Sequence, residues 1–183
     1  FDTETTGLDP IEVDVIGMSF SWKKDEAYYV AVPNDFDQAK ELIQIFRPFF
    51  ENERLEKIGQ NIKYDIIVLK KYDINVKGFL FDTMIAHYIL NPELRHNMDY
   101  MAETMLNYQT ISIESLIGKR GKNQRNMSTL KPEEVVDYAC EDADITFQLS
   151  EILRKKIEEE KAEKLFYEIE MPLVDVLADM EYT

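Results

Sequence analysis

The spacing of hydrophobic residues changes several times along the chain, and each change marks an element. Val13 to Trp22 and Ala27 to Val32 are rich in β-branched and aromatic residues, and the polar Lys23-Lys24-Asp25-Glu26 between them reads as a hairpin turn. With the short stretch before Gly7 and Pro10, they predict an antiparallel meander opening the fold. Pro33-Asn34-Asp35 stops the sheet and offers a helix cap, beyond which Leu42, Ile43, Ile45, Phe46, Phe49 and Phe50 recur at helical spacing. Leu55 to Gly59 and Gly78 to Phe81 have the length of buried strands, separated by a helix over Asn61 to Tyr72 with Ile62, Ile66, Ile67 and Leu69 inward. Helices are predicted over Asp82 to Leu90, Met98 to Leu106 and Ser112 to Ile117, followed by a polar loop over Gly118 to Thr129. Pro132 suits the first turn of a long helix running through Asp142 toward Leu153. A Glu/Lys-rich segment, Arg154 to Lys164, leads to a last amphipathic helix through Met180. Strands first, then strands alternating with helices, predict an α/β fold: a mixed sheet flanked by helices.

At 183 residues, 45% of them apolar, the chain is long enough to bury a core as one globular domain. A single cysteine, Cys140, excludes an internal disulfide and a Cys-rich metal site, and fits a reducing cytoplasm. No apolar run approaches the ~18 residues of a membrane span, so no membrane role is expected. The net charge of −15 argues against a broad duplex-binding surface but leaves room for an enzyme that grips a few nucleotides. The one basic stretch, Gly118 to Arg125, carries Lys119, Arg120, Lys122 and Arg125 without an acid. It reads as a solvated loop or as the rim of such a site. Phe1 alone precedes Asp2 in the first strand, which reads as a fragment beginning inside that strand.

The chemistry lies in three segments. Asp2 and Glu4 are two apart in a strand, so their carboxylates project on the same face just before the turn at Gly7. Asn61 and Asp65, and again Tyr138 and Asp142, are spaced one helical turn apart. Four carboxylates from elements far apart in sequence suit two hard cations about 3.5–4 Å apart, Mg²⁺ with Mn²⁺ able to substitute, of the kind that stabilise both oxygens in phosphodiester displacement. In that reading Asp2 bridges both ions, Glu4 and Asp142 complete the first, Asp65 holds the second directly or through water, and Tyr138 orients the attacking water. Other chemistry-bearing residues have plainer readings. His87 packs on a helix, His96 touches phosphate or caps a loop, Cys140 is a small buried residue, Asp82 caps its helix, and Asp144 faces solvent or bonds locally.

Phe-Asp-Thr-Glu-Thr at the start, Gly-Gln-Asn-Ile-Lys-Tyr-Asp at 59–65, Phe-Asp-Thr-Met at 81–84 and Tyr-Ala-Cys-Glu-Asp-Ala-Asp at 138–144 carry a resemblance over nearly the whole chain. The sequence resembles the 3′→5′ exonuclease domain of bacterial DNA polymerase I, in the DEDDy group of the ribonuclease H-like superfamily. The resemblance implies metal binding by Asp2, Glu4, Asp65 and Asp142, with Tyr138 as the water-orienting tyrosine. It further implies that Thr5, Leu8, Gln60, Asn61, Tyr64 and Arg95 hold a single-stranded DNA 3′ end, Leu8 as a wedge against the terminal bases. Met127 stands where that family often has an aromatic residue stacked on a base, a contact worth about 1–3 kcal/mol; it is expected to pack on a base through its thioether, more weakly. Ile-Glu-Met-Pro-Leu-Val at 169–174 resembles the junction with a polymerase. The division expected is therefore an exonuclease domain over 1–164, its first strand truncated, and the start of a covalently linked polymerase domain or its connecting helix over 165–183. The implied location is the bacterial cytoplasm and the implied product a 5′-nucleoside monophosphate. A ribonuclease D-like enzyme acting on RNA and a catalytically silent scaffold stand as alternatives.

Overall fold

The computed structural model describes residues 1–119 and 121–183; Arg120, one cation of the basic stretch, lies outside the described residues. Strands β1 (Asp2–Thr5), β2 (Val15–Lys23) and β3 (Glu26–Ala31) pair antiparallel in that order, the expected meander. Its hairpin turns at Asp25, whose φ of 62° is the left-handed conformation such a turn requires. Glu4 stands opposite Gly17, and the register shifts between Glu4 and Thr5, where the chain leaves the sheet. Two short strands, β4 (Lys57–Gly59) and β5 (Leu80–Asp82), pair parallel, and the Phe1 amino group donates to Ile58 O at 2.8 Å, tying β4 to the head of β1. Antiparallel and parallel pairing thus both occur, as the order of elements predicts, in a three-stranded and a two-stranded sheet.

Helices α1 (Phe36–Ile45) and α2 (Arg47–Phe50) follow the meander, with Asp35 capping α1 through Gln38 N–H. α3 (Ile62–Lys70) follows β4 and α4 (Thr83–Leu90) follows β5. Asp82 caps α4 by accepting from Met84 and Ile85 N–H at 2.8 and 3.1 Å. It also accepts from Ile62 and Asn61 N–H at 2.8 and 3.3 Å, so one buried carboxylate joins the starts of both helices. Then come α5 (Met98–Met101), a π turn over Ala102–Leu106, and α6 (Ile113–Ile117).

The long α7 (Pro132–Glu159) packs across the sheet with Ile145, Leu149, Leu153 and Ile157 in the core. It outlasts the expected end near Leu153 because that inward stripe continues to Ile157. Arg154, where the Glu/Lys-rich segment begins, is anchored to Glu56 at 2.8 Å and to the Tyr167 hydroxyl at 2.8 Å. After α8 (Glu163–Leu165) and a second π turn, α9 (Met171–Tyr182) lies on α3. Phe166, Met171, Val174 and Ala178 join the same core as the sheet, so residues 165–183 pack as part of this fold. Lys63–Glu181 and Lys70–Asp179 ion pairs, the latter at 2.5 Å, hold α9 against α3.

A second, smaller core is made by Ile16, Met127, Val135 and Ala139, with Tyr29, Leu116, Leu130 and Tyr138 around it. It pins the 118–131 connection onto α7. That connection, expected to be polar throughout, contains a 3₁₀ turn over Met127–Thr129, and Asn126 Nδ2 ties it to Thr6 O at 2.7 Å.

Candidate functional site

Strand alternation turns Asp2 and Glu4 to one face of β1, and α7 delivers Asp142 to the same place. Their oxygens lie within 4.8 Å of one another. Glu4 and Asp142 are each 7% exposed, and Glu4 Oε1 is buried with no hydrogen-bond partner. An ionised carboxylate in that position is costly unless something positive meets it. Proton affinity registers the strain. Burial, then Asp2, Asp142 and Asp65, push Glu4 well above the usual carboxylate range. Burial, then Asp2, push Asp142 up to about 8; burial pushes Asp2 up to about 6, opposed by the terminal ammonium. The donor set is oxygen only and anionic and, with the unpartnered Glu4 oxygen, fits a hard divalent cation such as Mg²⁺ or Mn²⁺.

Asp65, the fourth predicted acid, comes from the first turn of α3 and is 2% exposed. It lies outside the close cluster, beside Asp2, whose charge, after burial, raises its pKa. Its Oδ1 accepts two hydrogen bonds from Thr3: the backbone N–H at 3.0 Å and the hydroxyl at 2.5 Å. Tyr138 stands one turn before Asp142. Burial, then Asp142 and Glu4, raise its phenol far above the ordinary value, so it stays neutral and able to donate. The structure thus gathers Asp2, Glu4 and Asp142 tightly and sets Asp65 and Tyr138 at the cluster's edge.

The predicted substrate positions divide. Leu8 is 91% exposed at the turn following β1, an apolar side chain held in solvent. The Thr5 hydroxyl lies 2.6 Å from the Tyr64 phenol, which donates to Gly7 O at 2.8 Å, so these two residues brace the turn that presents Leu8. Asn61, at φ 57°, is in the left-handed conformation ahead of α3 rather than on its face. Gln60 is engaged within the protein, donating to His96 O at 2.9 Å and accepting from the Thr83 hydroxyl. Arg95 is exposed in the connection from α4 to α5. Met127 is 8% exposed inside the second core, against which Tyr138 packs, so little of its side chain is open to a base. The base-stacking expectation treated its surroundings as polar loop, whereas Ile16, Val135 and Ala139 enclose it.

Several residues escaped the sequence reading. Thr3 sits inside the acid motif, but its partner is 62 residues away. Gly17 lies under the Tyr29 ring, where an added Cβ would come within 2.2 Å of the phenol oxygen. His87 and His96, read separately, face each other with Nδ1 atoms 2.8 Å apart. Asp144 bonds locally as expected, to Gln148, and also accepts Asp25 N–H at 2.9 Å.

Comparison with known proteins gives a consistent family. The sequence pattern of the family described as 3′-5′ exonuclease matches residues 1–158. DNA polymerase I of Borreliella burgdorferi is 38% identical over 183 residues, covering 98% of this chain and 20% of that protein. DNA polymerase I of Pseudomonas aeruginosa is 38% identical over 192 residues, covering 99% of this chain and 21% of that protein. The chain therefore spans about a fifth of the length of the curated relatives it matches. Among solved structures, Brucella melitensis NrnC bound to pGG superposes with a TM-score of 0.77 at 19% identity, covering 98% of this chain and 82% of that one. The POL domain of Pol1 from M. smegmatis, in complex with DNA primer-template and dNTP, gives 0.73 at 14% identity, covering 97% and 27%. These two likenesses are of fold, the ribonuclease H-like α/β fold.

Proposed function

This chain belongs to the 3′-5′ exonuclease family, and from that premise we propose that it removes nucleoside monophosphates from single-stranded or frayed DNA 3′ ends as the proofreading part of a DNA polymerase I. The observation that carries the reading is the buried carboxylate cluster with its unpartnered Glu4 oxygen. Asp2, Glu4 and Asp142 would hold one divalent cation, and Asp2 with Asp65 a second. When bound, such cations supply positive charge to the attacking and leaving oxygens of an in-line displacement at phosphorus. Tyr138, kept neutral, orients the water that attacks the terminal phosphorus; the bond to the upstream 3′ oxygen breaks and a 5′-monophosphate leaves. Leu8 separates the last base from its neighbour, and Thr5 with Tyr64 sets the turn that carries Leu8. Asn61 and the exposed Arg95 hold the strand behind it, and Gln60 acts by fixing the loop that bears Arg95.

No helix among the described residues is long and apolar enough to cross a membrane. The relatives' greater length supports a covalently linked polymerase, with α9 leading into it. The net charge of −15 fits weak duplex affinity of its own, the polymerase supplying that grip.

The test is digestion of a 5′-labelled single-stranded DNA oligonucleotide with Mg²⁺ or Mn²⁺, a matching RNA in parallel, and EDTA and Asp142→Ala as controls. A descending ladder on DNA, abolished by both controls, is expected. Preferential digestion of RNA, or none of either strand by folded protein, would overturn the reading.

A further inference from the structure

Residue 3 lies between two acids of the cluster yet serves the one outside it. The Thr3 N–H points away from β2 and, with the Thr3 hydroxyl, converges on a single oxygen, Asp65 Oδ1, at 3.0 and 2.5 Å. Both residues are almost wholly enclosed, Thr3 at 6% and Asp65 at 2% exposure, so water cannot easily replace either bond. A carboxylate held this way is restrained in rotation, and Oδ2 is the oxygen that Thr3 does not engage.

We propose that Thr3 is the positioning residue of the second cation position: by engaging Asp65 Oδ1 it fixes Asp65 as a single-oxygen ligand beside Asp2. The first position, made by Asp2, Glu4 and Asp142, includes neither Thr3 nor Asp65 and shares only Asp2 with the second. The two positions therefore differ in origin. One is set by β1 and α7; the other depends on a hydrogen-bonded link between β1 and α3. Partners that orient a ligand in this way typically change metal affinity by about 10–100-fold when removed.

This inference rests on the nuclease reading, and the experiment separates the two. Mn²⁺ is titrated into the full chain by calorimetry, with the dipolar broadening of Mn²⁺ paramagnetic resonance lines reporting occupation of both positions together. Thr3→Val removes the hydroxyl and keeps the shape; Thr3→Ala serves if the valine protein does not fold, and Thr3→Ser restores the donor. The wild type is expected to show a tight and a weak event. In Thr3→Val the weak event shifts by about tenfold or more, the tight one by less than twofold, and Thr3→Ser recovers the wild-type pattern. In cleavage, the metal concentration for half-maximal rate rises while KM for DNA holds. Equal weakening of both events, or no change in the weak one, would overturn the assignment of Thr3 and leave the nuclease reading standing. No Mn²⁺ binding by the wild type would overturn both.

Discussion

Replacing Asp142 by Asn is expected to make the metal-free protein more stable and the metal-loaded protein inactive. Without a cation, Asp142 shares a buried site with Asp2 and Glu4 and is pushed up to about 8, against about 3.9 for an unfolded carboxylate. The folded state then holds more protons than the unfolded state over that range, so metal-free stability falls as pH rises from about 4 to about 8. For one isolated group, such a shift amounts to about 4 kcal/mol at pH 7. Neighbouring acids share the protons and asparagine must itself be buried, so the realised gain is expected to be about 1–3 kcal/mol. The amide oxygen can still accept from Tyr138, which keeps the local geometry. With saturating Mn²⁺ the order reverses, because wild type gains about 4.1 kcal/mol at a thousand times Kd and the variant gains little. Urea unfolding followed by circular dichroism at pH 8 and pH 4.5, in EDTA and in Mn²⁺, reads all four conditions. If the variant is less stable than wild type in EDTA at pH 8, or if its advantage does not shrink at pH 4.5, carboxylate repulsion is not what strains this site.

Three more outcomes follow from other contacts. Asp82→Ala should cost about 3–5 kcal/mol in urea unfolding, since it removes the α4 cap and strands the N–H groups of Asn61 and Ile62; a loss below 1 kcal/mol would mean that water replaces the carboxylate. Gly17→Ala should lower stability by about 1–3 kcal/mol and displace the Tyr29 ring, detectable as a change in tyrosine fluorescence or ring NMR shifts. Leu8→Ala should leave the melting midpoint in place, since the side chain is 91% exposed, while slowing cleavage of duplex ends more than of single strands; equal slowing of both would remove the wedge role.

The parts of the site that follow from local periodicity were legible before any coordinates. Asp2 and Glu4 share a strand face and Tyr138 and Asp142 a helix face, and the structure brings both pairs together. Asp65 was legible as an acid near the others but not as one clamped by Thr3, because no spacing rule connects residues 62 apart. The enclosure of Met127 was not legible, since it comes from Ile16 and Val135, on a strand and helix that its own neighbours in sequence do not reveal. The end of α7 was drawn short because Glu and Lys dominate after Leu153, while a single inward residue per turn, Ile157, was enough to continue it. Asp82 was legible as a cap of the helix that follows it; its bonds to Asn61 and Ile62 depend on β4 and β5 lying side by side.

The seam between α3 and α9 has a mechanical consequence. Asp65 lies on α3 between Lys63 and Lys70, the two residues that grip Glu181 and Asp179 on α9, and Val174 and Ala178 seal the contact with apolar side chains. No loop intervenes to absorb a displacement. α9 is therefore packed against the helix that carries Asp65, the acid beside the cluster. A pull or twist delivered near Tyr182 would bear on α3, whose Asp65 is tied to Thr3 of β1. Strain on the seam between α3 and α9 would thus reach the acids through one hydrogen-bonded link, Asp65 to Thr3.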